Sequence, residues 1–496
     1  MQLTFKSTPL SYLQSRLRQV QNQEQTLELR LSEGMPDLGR LLLTGGQARL
    51  SSKQWRSDSV SITGGIQAWA LYLPEDGSEP MLLEGWIPFQ AKWNLPEHCR
   101  EGILDARITL RNLDGRILSP RKVLLRASVA LCAEALCPGE VSVYSPEEVP
   151  EGIHLLQKSY PVRLWQEAGE KVFSLEDSLT DEGSLPEKLL CCHMTPRLTE
   201  QTVAGDQLIL RGILNVHYLG MDGEGKLHSG NLELPFAQLA QLDGEYDKEA
   251  TANVSLSIAA SDWQQEDQQL KIRCELVAQY RILGQCVLHL AQDAYSPHTQ
   301  LQLQREELTL PALLDERTEQ LEITQGLQLG AEQIVDVAFY PDEPVTYREA
   351  DQLISELPGQ IQVLYTDEHG FLQSLWEPFC GRWELPAGES CNLRLCCGLE
   401  SVAAPVMQNR QVQLKAILKL EAGAWTEQSL PMVTGMELGK KRNPDPARPS
   451  VILRRAGEDT LWELAKGHGS TVDAICKANR LTGEPDPKQM LLIPVL

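Results

Sequence analysis

SVSITGGIQAWALY, residues 59–72, is an alternating run rich in β-branched side chains that closes on Tyr72, and two other segments repeat its plan. QLILRGILNVHYLG (207–220) and QLISELPGQIQVLY (352–365) carry the matching tyrosines at 218 and 365, so the landmarks lie 146 and 147 residues apart. After each run comes a turn rich in Asp, Glu and Gly: PEDGSEP, MDGEGK and TDEHG. Gly and Asp tolerate the positive φ of hairpin turns, which accounts for the Asp-Gly pairs at 76–77 and 222–223. A second run follows each turn and closes on Pro-Phe, at 88–89, 235–236 and 378–379.

The correspondence continues downstream, where each copy has a short strand, a polar turn and a long alternating strand. These read ARITLRNL and RKVLLRASVALCAEAL, then ANVSLSIAA and QQLKIRCELVAQYRIL, then CNLRLCCGL and RQVQLKAILKLEAGAW. Alternation over this length puts one side of a strand in a core and the other in solvent. The expected fold is therefore mainly β, as tandem antiparallel sandwich-like repeats at 25–150, 165–298 and 300–438. The third copy departs most, since Pro358 interrupts its first strand and predicts an edge or a break there.

Composition narrows the functional classes. Of 496 residues, 45 are Lys or Arg and 68 are Asp or Glu, a formal charge of −23 that repels phosphate backbones and anionic membranes. Nucleic acid is not an expected partner. No stretch approaches the ~18 apolar residues that span a bilayer, and the N-terminal MQLTFKSTPLSYLQSRLRQV has no apolar h-region, so the chain is read as staying where it is made. The twelve cysteines fall in apolar strand-like runs without a CxxC spacing, which favours buried free thiols in a reducing cytosol over zinc ligands or disulfides. HExxH, GxSxG and P-loop patterns do not occur. The expectation is a chain without catalytic residues, metal or cofactor.

The last residues read differently. GKKRNPDPARPS (439–450) is dense in Pro and basic residues and is read as a semi-rigid linker that holds off an independently moving unit, 451–496. There SVILRR forms a strand, and Asp459 is placed to cap a helix from Thr460 to about Gly467. Ser470 is placed to cap a second helix from Thr471, and MLLIP (490–494) forms a closing strand. Trp462, Leu464, Ile475 and Leu492 are the expected core, and Asn479 a helix-end residue.

This strand-helix-helix-strand cassette, with GEDTLWELAK, STVDAICKANRL and LLIP, resembles the LysM family. The resemblance implies recognition of N-acetylglucosamine-containing glycans, peptidoglycan or chitin, in a groove between two loops. Carried onto this sequence, the binding residues are Gly457, Asp459, Thr460 and Leu461 in the first loop, with Asn479, Arg480, Leu481, Thr482, Gly483 and Lys488 in and before the second. Where LysM modules show Pro-Gly-Gln, this chain has Pro487-Lys488-Gln489, and Lys disfavours a positive-φ turn.

The three long repeats resemble the SPOCS domain of spore-coat assembly proteins from endospore-forming Firmicutes. The lead-ins carrying this likeness are RLSEGMPDLGRLLL (30–43), SLPEKLLCCHMTPRLTE (184–200) and LTLPALLDERTEQLEIT (308–324), where Ala312 replaces an acidic residue. Tandem β-domains, a linker and one LysM module resemble the coat-tethering morphogenetic proteins of clostridial spores. That implies a non-enzymatic assembly protein in the mother-cell cytoplasm, at the forespore surface, whose LysM module docks onto a basement-layer coat ATPase or another coat protein. The alternative is an envelope protein that binds peptidoglycan or another N-acetylglucosamine glycan.

Overall fold

The computed structural model describes residues 2–3, 5–96, 99–180, 185–386, 391–408, 411–442 and 449–496. Each repeat is two facing antiparallel sheets. In the first, Leu38–Arg56, Ser59–Pro74 and Met81–Asn94 face Phe5–Arg30, Lys122–Pro146 and Ile103–Ser119. In the second, Lys188–Met221 and Leu227–Tyr246 face His154–Leu179, Gln269–Tyr295 and Thr251–Glu266. The third sets Ala331–Pro341, Gln352–Asp367 and Leu372–Pro386 against Thr299–Gln328, Gln411–Lys441 and Asn392–Val402. Alternate residues from both sheets fill each core, such as Ile62, Ile66 and Tyr72 with Leu113, Leu125 and Leu131 in the first.

One cross-strand pair explains why the landmarks recur. Gly64 lies opposite Phe89, Gly212 opposite Phe236, and Gly359 opposite Phe379. A Cβ on any of these glycines would fall well inside contact distance of the opposing ring and of a carbonyl on the neighbouring backbone, from Arg49, Arg197 and Tyr340 respectively. The phenylalanine covers the surface that the glycine leaves bare, so both identities are needed at one register position. Pro-Phe therefore sits inside its strand rather than at its end.

The structure corrects several expectations. The first two repeats begin earlier than 25 and 165, at Phe5 and His154, because the opening half of each first strand packs outside the sandwich core, through Tyr12, Val162 and Leu164. Residues 308–324 lie in Thr299–Gln328, which answers Phe5–Arg30 and His154–Leu179; the counterpart of the other two lead-ins is Ala331–Pro341. Gln352–Asp367 runs unbroken through Pro358, which pairs with Cys380 on one side. On its other side the neighbour changes from Val345–Glu349 to Ala331–Pro341, so the missing N–H falls at that break. Gly439–Lys441, expected to open the linker, end a strand, with Lys441 opposite Thr299; the linker's 443–448 lie outside the described residues.

The three units pack on one another. Leu42, Leu43 and Leu71 of the first meet Leu190, Leu219 and Met221 of the second and Val335 and Leu364 of the third. The longest hairpins outrun their sandwiches and join again through Tyr12, Leu164, Leu290, Leu310 and Met432. Polar ties include Arg111 to Asp342 and a His217–Asp336 contact of 2.9 Å. All twelve cysteines are free thiols. Among the described residues, no helix is long and apolar enough to cross a membrane, and no group of three or more His, Cys, Asp or Glu side chains is arranged to hold a metal ion.

Candidate functional site

The tail folds as expected in outline: Val451–Arg455 pairs antiparallel with Met490–Pro494, and the helices α1, Leu461–His468, and α2, Val472–Asn479, lie between them in sequence. Both caps sit one residue later than expected. Thr460, not Asp459, caps α1, because its hydroxyl accepts the Glu463 N–H while the Glu463 carboxylate accepts the Thr460 N–H, a reciprocal pair that Asp459 cannot form. Asp459 instead pairs with Arg454 at 2.5 Å. Thr471, not Ser470, caps α2 through the Ala474 N–H. Each helix ends on a left-handed residue, Gly469 at φ 62° and Arg480 at φ 52°.

Two loops close into one mouth. Backbone bonds join Ala456 to Gln489 and Gly457 to Pro487, both at 2.9 Å, and the Glu484 carboxylate accepts the first α1 amide, Leu461 N–H, also at 2.9 Å. A carboxylate suits that position, since the helix N-terminus leaves its N–H groups free and carries partial positive charge. Gly457, Thr460, Thr482, Gly483 and Lys488 are exposed around the mouth, with Asp459 half-buried beside it. Lys488 does not adopt positive φ; Asp486 closes its turn by accepting the Lys488 N–H on the side chain and the Gln489 N–H on the carbonyl.

Other candidate residues are placed differently. Leu461 is buried, 4 % exposed, and its side chain belongs to the core. Leu481 packs half-buried on the same core, and Arg480 is exposed at the end of α2. Asn479 is committed to structure: its amide donates to the Ile475 and Leu492 carbonyls and accepts the Leu492 N–H, bolting α2 to the closing strand. Leu492 is not core. Lying opposite Leu453, it faces outward at 45 % exposure, while its neighbours Leu491 and Ile493 are fully buried.

Trp462 packs half-buried against the tail's core, as expected, and also reaches the body. Its ring meets Tyr295 of the second repeat edge-on at 4.7 Å, and its indole N–H donates to Asp293 at 3.0 Å. Lys466 reaches the same carboxylate at 2.6 Å, and the Tyr295 hydroxyl donates to the Ser470 carbonyl at 3.1 Å. The tail thus rests on the body instead of standing off from it. Sequence reasoning missed Asp293, Tyr295 and Glu484; only the Asp-x-Tyr pair at the end of a long strand marks the first two, and nothing in their spacing ties them to Trp462.

Residues 457–494 match the LysM domain family. No curated protein matches the chain, and no solved structure does. The chain carries a LysM domain at 457–494, a tail on a body of antiparallel β-sheets.

Proposed function

We propose that this is a non-enzymatic envelope protein whose LysM tail binds an N-acetylglucosamine-containing glycan of the peptidoglycan or chitin type, with the three-unit body as its platform. The observation that carries this reading is the mouth itself: two loops of a LysM domain meet there and leave small or polar residues, Gly457, Thr482, Gly483 and Lys488, open to solvent. Exposed glycines let a ligand approach the backbone closely. The test is calorimetric titration of the full chain with a chitin pentamer, together with co-sedimentation on peptidoglycan. Micromolar binding, weakened at least about tenfold by Thr482→Glu with an unchanged melting temperature, is the expected result; one such loss corresponds to about 1.4 kcal/mol. Binding that ignores substitution at Thr482 and Lys488, or no binding at all, sinks the reading.

A second reading has its own support. α1 already grips protein through Trp462 and Lys466, the loop departs from Pro-Gly-Gln at Lys488, and the body resembles SPOCS repeats. On this reading the chain is a spore-coat assembly factor at the forespore surface, on the mother-cell side, and its tail docks onto a basement-layer coat ATPase. Retention of that ATPase from sporulating cells, lost on deleting 450–496 while chitin oligomers fail to bind, separates it from the first.

A further inference from the structure

We infer that the junction of the three β-units is a binding site for a small multivalent oxyanion, a phosphate-like or short dicarboxylate ion. Glu134 of the first unit sits between two guanidinium groups, accepting from Arg281 of the second at 2.8 Å and facing Arg394 of the third as an ion pair. Asp105 takes a second Arg281 nitrogen at 3.1 Å. Trp165 stacks over Arg281 and Trp425 over Arg394, and the two rings lie 5.7 Å apart. These side chains wall a partly open cavity of about 120 Å³.

Four donors of the lining residues, Arg281 Nε, Arg394 Nη1, Trp165 Nε1 and the Ser255 hydroxyl, are buried without a hydrogen-bond partner, against one such acceptor, Glu134 Oε1, which faces Arg394 as an ion pair. A buried donor left unpaired is costly, and native interiors hold few of them. A water satisfies a donor only by bringing two donors of its own, which need acceptors in turn. A dicarboxylate dianion is acceptor-only, and hydrogen phosphate sets one O–H against three oxygens that only accept, so either ion brings more acceptors than donors to these N–H and O–H groups. Charge leans the same way by one: five arginines line the cavity against the carboxylates of Asp105, Glu134, Glu316 and Glu421, and the exposed Arg18 makes no ion pair among the described residues. Burial, only partly offset by Glu134 and reinforced by Arg281 and Arg18, pulls the Arg394 guanidinium down to about 10, whereas at Arg281 burial is outweighed by the Glu134 and Asp105 carboxylates, which raise it.

The experiment measures thermal unfolding and calorimetric binding of the full chain with sodium phosphate and, separately, sodium malonate, against sodium chloride at matched ionic strength. A saturable rise in melting temperature with either ion supports the site, and which of the two acts assigns phosphoryl or carboxylate chemistry. Ser255→Ala and Trp165→Phe each remove one donor, the second keeping a ring over Arg281. Each should weaken the anion about tenfold, as expected for one hydrogen bond to a charged acceptor. No saturable effect of either ion means that water fills the cavity and overturns the proposal. A full effect retained in both variants places the anion elsewhere and overturns it equally.

Discussion

Asp293→Ala should release the LysM domain from the body without unfolding either. The Asp293 side chain is 16 % exposed and accepts from Trp462 and Lys466 across the contact, while Arg305 of its own body holds it from behind at 2.7 Å. The indole bond ends on a charged acceptor and is worth about 1.5–3 kcal/mol. The Lys466 pair, with the lysine 40 % exposed, is screened and adds no more than about 1 kcal/mol. Together they give a docking loss of about 1.5–4 kcal/mol, or roughly 10- to 1,000-fold in the docked population. Amide hydrogen exchange reads this directly: protection should fall in α1 and α2 and persist in the strand Gln269–Tyr295. Acidity gives a second arm. Burial alone would raise the Asp293 pKa, but the hydrogen bonds from Lys466 and Trp462 outweigh it and hold the carboxyl below its ordinary value. A depressed carboxyl stabilises the docked state fully above about pH 4, its undocked value, and loses that contribution as pH falls through the lower docked value. Wild type should therefore loosen in acid and the variant should show no such step. Unchanged exchange in α1 would refute the reasoning, because the contact would then contribute nothing to holding the tail.

Alanine at Gly64, Gly212 or Gly359 should each destabilise its own repeat by about 1–3 kcal/mol through overpacking against the facing Phe and a carbonyl, read as a lower urea midpoint. Equal or higher midpoints would mean that better strand propensity outweighs the clash. Asn479→Ala breaks three bonds that tie α2 to the closing strand and should cost about 1–3 kcal/mol, seen as early melting of the tail with the body intact. Between the second and third repeats, burial lowers the His217 pKa, but Asp336 overcomes this and raises it, so its contribution is present below about pH 6.5 and lost as pH rises through the higher folded value. His217→Gln should flatten that part of the stability–pH profile, and an unchanged profile would rule the pair out as its source.

How much was legible in the sequence follows from which interactions are local or repeated. The phenylalanine of each Gly–Phe pair is legible as part of the Pro-Phe landmark that recurs three times at near-constant spacing; its glycine partner is not, because the pairing across the hairpin shows only in the structure. The LysM domain is legible for another reason: its caps, its turns and most of its small core lie within residues 457–494. Even there the cap slipped by one residue, since Asp459 and Thr460 are both good caps and only the reach of Glu463 chooses between them. The third lead-in was misplaced because Leu-Pro occurs in Thr299–Gln328 by chance resemblance, while the true counterpart, Ala331–Pro341, lacks that dipeptide.

What remained hidden depends on long-range placement. Tyr295 and Trp462 are far apart in sequence, and each alone reads as an ordinary strand or helix aromatic; only the packing of the repeats brings the strand end to α1. The same holds for Glu134, Arg281 and Arg394, one from each repeat, which alternation alone would place on solvent faces. They are buried because three sheets that each expose a polar face cover those faces with one another, and a charge so covered must find its partner on another repeat. The repeats are thus alike where each fills its own core and unlike where they meet, with a carboxylate in one and guanidinium groups in the other two. A body assembled from identical copies would set like charges against each other at that junction. The divergence of the copies is therefore what permits a single chain to close the assembly, and it leaves at the centre a polar cavity that no single repeat could form.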